Sequence, residues 1–388
     1  MPDAQSQASR VRPTGPGPRP GAFGVAGGKV CLVRGAGQRG AVVVMVLVLL
    51  MLAAFLLAAF IRRTGTELLA DARASQLREM RAEAYSALET TLAVLADFRA
   101  AQQALRSPAE GWADPLADTG YAPGGGRTVE VAFEDESAKL SLPNASEVEL
   151  QTLLEFEGVE RNEAERMAGT LHAWMHEAPK DAAVDLDAPD YTRAEPAYRP
   201  AYRALRSWGE LAAVELDREI FFDETGRPTE VFAAFVREVS LHSFQKVNLN
   251  SAQAGVLLAL GLGEAEVQAL ENHRTAPRPA GETGVFRSLA EAGTVLGASI
   301  GAERFGTSCE VLRIVVTVRQ GAIPFRLEAV VATAGGRQAA GRRVEAEQTA
   351  GAAPTAPLPE RKVLNYPFAV LEIQENAEPA APPASPSF

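Results

Sequence analysis

Few residues of this chain stand at spacings that do chemistry. His172 and His176 are four apart, so on a helix they would share a face and could offer two imidazoles to zinc. No third ligand accompanies them and neither cysteine is near, so a surface pair is the favoured reading. Gly124-Gly125-Gly126 has the glycines of a phosphate loop without the Lys-Ser/Thr that follows one, and reads as a turn. The Gly261-Leu262-Gly263 turn could present backbone N–H groups to a phosphate. Glu264, Glu266 and Glu271 crowd it, however, with His273 and Arg274 at the far end, and carboxylates beside such a site repel an anion. Trp174 and Trp208 read as core residues. No Walker A loop, G-x-S-x-G elbow or H-E-x-x-H helix occurs. The expectation is a protein that catalyses nothing.

Charge points the same way. Residues 1–40 hold Arg10, Arg12, Arg19, Lys29, Arg34 and Arg39 against Asp3, a net +5, whereas the whole chain of 388 residues carries −11. Residues 41–388 therefore carry −16, which argues against a surface built for nucleic-acid phosphates. The two cysteines are Cys31 and Cys309. With Cys31 removed in processing, no internal disulfide is possible, and cysteine usage does not reveal the redox compartment.

The elements that must position these residues begin with a membrane segment. Ala41–Ile61 is uncharged, and at 1.5 Å per residue it spans ~30 Å, about one hydrocarbon core. The basic leader places residues 1–40 in the cytoplasm and the long remainder across the membrane, although Arg62 and Arg63 form a competing flank. A cleaved secretory signal would be shorter; a plain signal anchor stays open. Gln38-Arg39-Gly40 followed by Ala41-Val42-Val43-Val44 resembles a prepilin signal. That resemblance implies peptidase cleavage between Gly40 and Ala41 and N-methylation of Ala41. Major pilins carry Glu at mature position five, where this chain has Met45. A carboxylate in lipid is costly unless paired, so a subunit with no neighbour above it can dispense with one.

No Gly or Pro falls between Thr66 and Ser107, and Leu77, Met80, Ala84, Leu88, Leu92 and Leu95 recur at helical spacing. The membrane helix is thus expected to continue as an amphipathic stem, with Gly65 a candidate bend. Thr128–Phe133 alternates like a strand and Lys139–Leu142 is a second candidate. Residues 146–305 are mainly helical in pattern. Cys309–Val318, Phe325–Ala332 and Val363–Ile373 are β-branched and aromatic, and read as antiparallel strands. Thr349–Leu358 and the tail after Asn376 are Ala/Pro-rich linkers.

One pattern occurs twice. Lys139-Leu-Ser-Leu-Pro-Asn-Ala145 and Lys246-Val-Asn-Leu-Asn-Ser-Ala252 each precede a helix, a Gly-containing turn (Gly158; Gly261 and Gly263) and a second helix. Asn144 or Ser146, and Asn250 or Ser251, are candidate N-caps. The second copy resembles the helix-hairpin-helix of competence-type DNA receptors. A membrane-anchored DNA receptor is therefore the alternative function, and the acidic surroundings make a structural hairpin the preferred reading.

An ordered series of segments resembles the K-type minor pseudopilin of type II secretion, also called general secretion pathway protein K. It comprises the prepilin site lacking Glu, Asp135-Glu136-Ser137-Ala138-Lys139-Leu140, Tyr198 to Leu211, Val247 to Ala252 and Phe286 to Glu291, over about residues 34–335. The resemblance implies an α+β fold with a long transmembrane and stem helix. It adds a pilin-like antiparallel sheet interrupted by a large helical insertion containing helix-hairpin-helix-like repeats. It implies a single-pass inner-membrane protein with its C-terminal domain in the periplasm, at the pseudopilus tip. The partners would be I- and J-type minor pseudopilins, the major pseudopilin and the prepilin peptidase, with nucleic acid not expected. Some members bind calcium. Here the family's Asp-Trp-x-Asp is replaced by Ala173-Trp174-Met175-His176, and Asp181, Asp185, Asp187 and Asp190 downstream are the candidate ligands. Calcium takes six to eight oxygens. The run lacks EF-hand spacing, so a solvated acidic loop is the favoured reading. The expected division is leader 1–40, membrane helix 41–61, stem 62–107, first part of the sheet domain 108–143, helical insertion 144–305, completing strands 306–376 and tail 377–388.

Overall fold

The computed structural model describes residues 38–177, 191–193, 197–279, 282–297, 299–321, 323–333 and 368–376. Contacts divide the chain into two units, Met1–Asp71 and Ala72–Phe388. Helix α1 (Gln38–Gln102) includes residues of both. In the first unit it is long and apolar enough to cross a membrane by length and composition. From Val42 to Ile61 its apolar side chains are exposed, as a lipid-facing helix requires.

The second unit has two cores. In the first, Met80, Ala84, Leu88, Leu92 and Leu95 of α1 are buried at the expected spacing, while Leu77 is 42 % exposed and lies outside the stripe. A short helix α2 (Pro115–Asp118) follows, capped by the Asp114 side chain, and contributes Leu116. Strand β1 (Thr128–Asp135) alternates between exposed and half-buried residues, the pattern of an edge strand.

The helical block comes next. Strand β2 (Leu140–Ser141) leads to α3 (Glu147–Phe156) and α4 (Arg161–Met175). Helices α5 (Glu215–Phe221) and α6 (Glu230–Glu238) run into β3 (Val239–Ser240) and β4 (Val247–Asn248). Then come α7 (Ala254–Ala259), α8 (Glu264–Thr275), α9 (Leu289–Leu296) and β5 (Phe305–Gly306). Strands β6 (Val311–Gln320), β7 (Ile323–Ala332) and β8 (Ala369–Glu375) end the described chain.

The main sheet is antiparallel, ordered β1-β6-β7-β8, so strands from both sides of the helical block form one sheet. Gly321, with φ of +65°, lies in the β6–β7 connection and takes a conformation that L side chains disfavour. One sheet face packs on α1 through Ile314, Val316, Val318, Leu327, Ala329 and Val331. Val311 and Val330 belong instead to the second core, built on Leu150, Leu153, Leu154, Leu171, Phe221, Phe235, Leu257 and Leu270 of the helical block.

Two expectations are corrected. Lys139–Leu142 does not join the main sheet: β2 pairs with β3 in parallel, and β4 pairs with β5 likewise, two residues each. Helix α1 ends at Gln102, short of Ser107, because Gln103 takes a φ of +62°, outside right-handed helical space, and Ser107 then caps a 3-10 turn at Pro108–Glu110. Thr349–Leu358, the start of the Val363–Ile373 strand and the tail lie outside the described residues.

Candidate functional site: a polar junction and two helix pairs

The densest polar cluster lies where β1 enters the helical block. The Asp135 carboxylate accepts from Ser137 N (3.0 Å), Ser137 Oγ (2.5 Å) and Asn248 Nδ2 (2.6 Å). Asn248 also donates to the Arg106 carbonyl at 2.8 Å, and Ser137 Oγ accepts from Glu310 N at 2.9 Å. Burial raises the Asp135 pKa against these hydrogen bonds.

Glu136 is 1 % exposed and fully partnered. It accepts from Arg313 Nε (2.6 Å), Ser240 Oγ (2.5 Å) and Lys139 Nζ (3.4 Å). Burial alone would raise its pKa, but the charges of Lys139 and Arg313, with hydrogen bonds from Ser240 and Arg313, bring it down to about 2. Arg313 also reaches Glu328 at 3.1 Å, and Lys139 reaches Glu134 at 2.6 Å. The nearby Cys309 thiol is buried, and burial followed by the Asp135 charge pushes its pKa far up. It is thus a thiol, with no thiolate character for nucleophilic work. The cluster is a strut, with each carboxylate committed to structural partners.

The two helix pairs are built alike. Gly158 and Gly261 have φ of +91° and +92°. After α3, Gly158 N donates to Glu155 O and Val159 N to Leu154 O; after α7, Gly261 N donates to Leu258 O and Leu262 N to Leu257 O. Both α3 and α7 thus end in the same glycine-dependent closure. The second helices begin on their own carboxylates. Glu160 accepts from Asn162 N at 3.1 Å, and Glu266 reaches back to Gly263 N at 2.8 Å. A phosphate at α8 would have to displace Glu266 and approach Glu264.

Of the candidate caps, Ser146 forms a reciprocal capping box with Glu149 (3.4 and 2.8 Å), and Glu149 pairs with Arg304. Asn144 instead donates to the Phe244 carbonyl at 2.7 Å. In the second copy neither Asn250 nor Ser251 caps α7, whose cap is Gln253. Asn250 clamps the Phe286 segment, accepting from Phe286 N (2.7 Å) and donating to Phe286 O (3.1 Å) and Thr307 O (2.9 Å).

His176 is not in the helix with His172 but is the extended C-cap residue of α4, although the two rings stack at 4.3 Å. Their bonds go to Glu147 (3.1 Å from His172 Nδ1) and to the His172 carbonyl (3.1 Å from His176 Nδ1). Among the described residues no group of three or more His, Cys, Asp or Glu is placed to hold a metal. Asp181, Asp185, Asp187 and Asp190 lie outside the described residues, so the calcium expectation rests on sequence alone. Gly124–Gly126 is a turn in which Gly125 and Gly126 have φ of +63° and +70° and Arg127 pairs with Glu83. Trp174 is buried and Trp208 is half-buried against the helical core. Gly40 and Ala41 lie within α1, and Met45 is 66 % exposed.

A third local motif escaped the sequence reading. Arg106-Ser-Pro-Ala-Glu110, Arg206-Ser-Trp-Gly-Glu210 and Arg287-Ser-Leu-Ala-Glu291 share an Arg-Ser-x-x-Glu pattern. In each, the arginine N–H donates to the glutamate carboxylate, at 3.2, 3.1 and 2.8 Å, and the serine is the N-cap residue. Two buried acids also went unread. Asp217 is fully buried without a hydrogen-bond partner, and burial raises its pKa far above the carboxylate range. Glu238 is 5 % exposed.

No family model matches the chain, and no curated protein matches it. Among solved structures, one chain of the GspK-GspI-GspJ complex from the enterotoxigenic Escherichia coli Type 2 Secretion System is similar. The TM-score is 0.51 at 14 % identity, over 80 % of this chain and 99 % of that one. The two share a fold.

Proposed function

We propose that the chain is a minor pseudopilin of K type, a structural component of a type II secretion pseudopilus with no catalytic role. The observation that carries this is a fold shared with 99 % of a chain from a pseudopilin complex, in a protein whose α1 is apolar enough to span a membrane. In this reading the leader is removed after Gly40, Ala41 is N-methylated, and the mature chain is held in the inner membrane with its body in the periplasm. Met45 suits a terminal position, since no neighbouring ammonium is needed to neutralise a carboxylate in lipid. The twin helix pairs, helix-hairpin-helix-like in sequence, serve as packing units of an insertion at about residues 144–305. Their capping by Glu160 and Glu266 speaks against DNA as the ligand.

The test is co-expression of the full chain with I- and J-type pseudopilins from the same source, followed by native mass measurement in detergent. One copy of this chain in a complex with one of each partner is the expected result. A chain that purifies alone, or immunogold label spread along the filament shaft, overturns the assignment. Sub-micromolar duplex binding that weakens steeply with salt would favour the receptor reading instead.

A further inference from the structure

Between α4 and α5 the chain lays out tyrosine and arginine on one short stretch. Residues 197–210 carry Arg199, Arg203 and Arg206 against Glu210, a net +2 on a body that carries −16 over residues 41–388. The two tyrosines of this stretch are anchored on one side and open on the other. The Tyr198 ring lies 5.2 Å from that of Tyr191 and 6.1 Å from that of Trp174, both of them buried. Its hydroxyl donates to the Ala213 carbonyl at 2.9 Å, and its backbone N–H donates to the Tyr191 carbonyl at 3.2 Å. Tyr202 N donates to the Trp174 carbonyl at 2.9 Å. Even so, 37 % of Tyr198 and 50 % of Tyr202 are exposed. Tyr202 also has a φ of +45°, a conformation that bulky residues avoid, so the backbone is strained at the residue whose ring stands out most.

The arginines divide into one committed side chain and two free ones. Glu210 pairs with Arg203 at 3.0 Å and accepts from Arg206 N at 3.1 Å. Arg199 and Arg206 are exposed, and among the described residues neither guanidinium has a hydrogen bond or an ion pair. Exposed tyrosine and arginine on a rigid base are the composition of an interface centre. Little freedom is lost on binding, because the Tyr198 ring is already fixed. Free guanidinium groups bind carboxylates through paired, charge-assisted hydrogen bonds. An extended polyanion would also have to lie along the acidic body, which repels it. A compact acidic segment need touch only the patch.

We propose that Tyr198, Arg199, Tyr202 and Arg206 form a docking surface for an acidic segment of a partner protein, whose carboxylates meet the two arginines and whose apolar side chain packs on Tyr202. The inference stands on this patch and does not rest on the secretion reading.

The test uses the full chain in non-ionic detergent and a dye-labelled peptide, Glu-Glu-Leu-Glu-Glu, followed by fluorescence anisotropy. Wild type should bind the peptide and release it as salt rises. The matched Lys-Lys-Leu-Lys-Lys peptide should not bind. Arg199→Ala with Arg206→Ala should weaken binding by about tenfold or more, and Tyr202→Ala by several-fold, with circular dichroism unchanged in both. Should Tyr202→Ala fail to fold, the arginine pair, whose side chains hold no partner, decides alone. A wild type that does not bind, equal binding of the lysine peptide, or variants that bind like wild type overturn the proposal. Displacement of the peptide by inorganic phosphate at equal charge concentration would mark a site for small anions and overturns it too. So does binding that appears only when Asp181, Asp185, Asp187 and Asp190 are replaced by Asn, because the patch would then serve this chain's own acidic run.

Discussion

Replacing Glu136 by Gln tests whether the strut at the end of β1 holds the helical block by charge. The side chain is buried among Arg313, Lys139 and Ser240, and its pKa falls from an ordinary 4.5 to about 2. At 1.36 kcal/mol per unit, that depression corresponds to about 3 kcal/mol of stability at neutral pH. Because the folded pKa is depressed, the contribution is fully present above the ordinary value and is lost as pH falls through about 2. Gln keeps the shape and an acceptor for Ser240. Arg313 keeps Glu328, and Lys139 keeps Glu134, so neither cation is left unpaired. The deficit should therefore stay near 3 kcal/mol, below the roughly 3–5 kcal/mol or more of an orphaned buried charge. In a domain of this size that lowers the melting temperature by on the order of 5 °C at pH 7. Circular-dichroism melts of the detergent-solubilised chain at pH 7, 5, 3 and 2 give the readout. The gap between variant and wild type should hold down to about pH 5 and then close. A gap of equal size at pH 7 and pH 2 would show that the loss is one of packing, and the charge argument would fall.

Two further outcomes are expected. Asn250→Ala removes three hydrogen bonds and strands the Phe286 N–H, at a cost of about 2–4 kcal/mol; amide exchange should quicken first at Phe286 to Glu291, and a uniform change across the chain would count against a local clamp. Intact mass of protein extracted from prepilin-peptidase-positive membranes should correspond to a chain starting at Ala41 with one added methyl group, and retention of residues 1–40 would sink that reading.

What could be read beforehand depended on periodicity. The stripe Met80, Ala84, Leu88, Leu92, Leu95 and the alternation of β1 follow from how helices and strands expose their faces. The glycines that end α3 and α7 were legible as turns because a positive φ needs glycine. The two-residue pairings β2–β3 and β4–β5 were not legible, since they join segments far apart in sequence and carry no periodicity of their own. Leu77 was assigned to the buried stripe from spacing, yet it stands 42 % exposed. The roles of the polar residues were the least visible. Asp135-Glu136-Ser137-Ala138-Lys139 could be quoted as a family-like segment, but nothing local says that Glu136 meets Arg313 or that Asp135 meets Asn248. Asn250 looked like a helix cap because asparagine often is one; the Phe286 backbone offered it better partners. The Arg-Ser-x-x-Glu pattern was visible in principle, as a capping signature displaced by one residue toward the N-terminus.

The junction also explains how one sheet tolerates so large an interruption. Asp135, where the chain leaves β1, lies opposite Leu312, where it has just re-entered as β6. The ends of the helical block are thus neighbours in the sheet, and closing the connection constrains the chain only at its base. Closure entropy grows slowly with length, so the residues between cost little more than a long loop would, provided they bury their own core. They do so around Leu150, Leu153, Phe221 and Leu257. What remains is to fix the orientation of the block against the sheet. Asp135–Asn248 reaches from the end of β1 to β4, Glu136–Ser240 reaches to β3, and Glu136–Arg313 closes on β6. These bonds sit at the base, where a small angular error would become a large displacement further along the block. Directional, charge-assisted bonds suit that position better than apolar contact, because apolar burial is indifferent to small rotations.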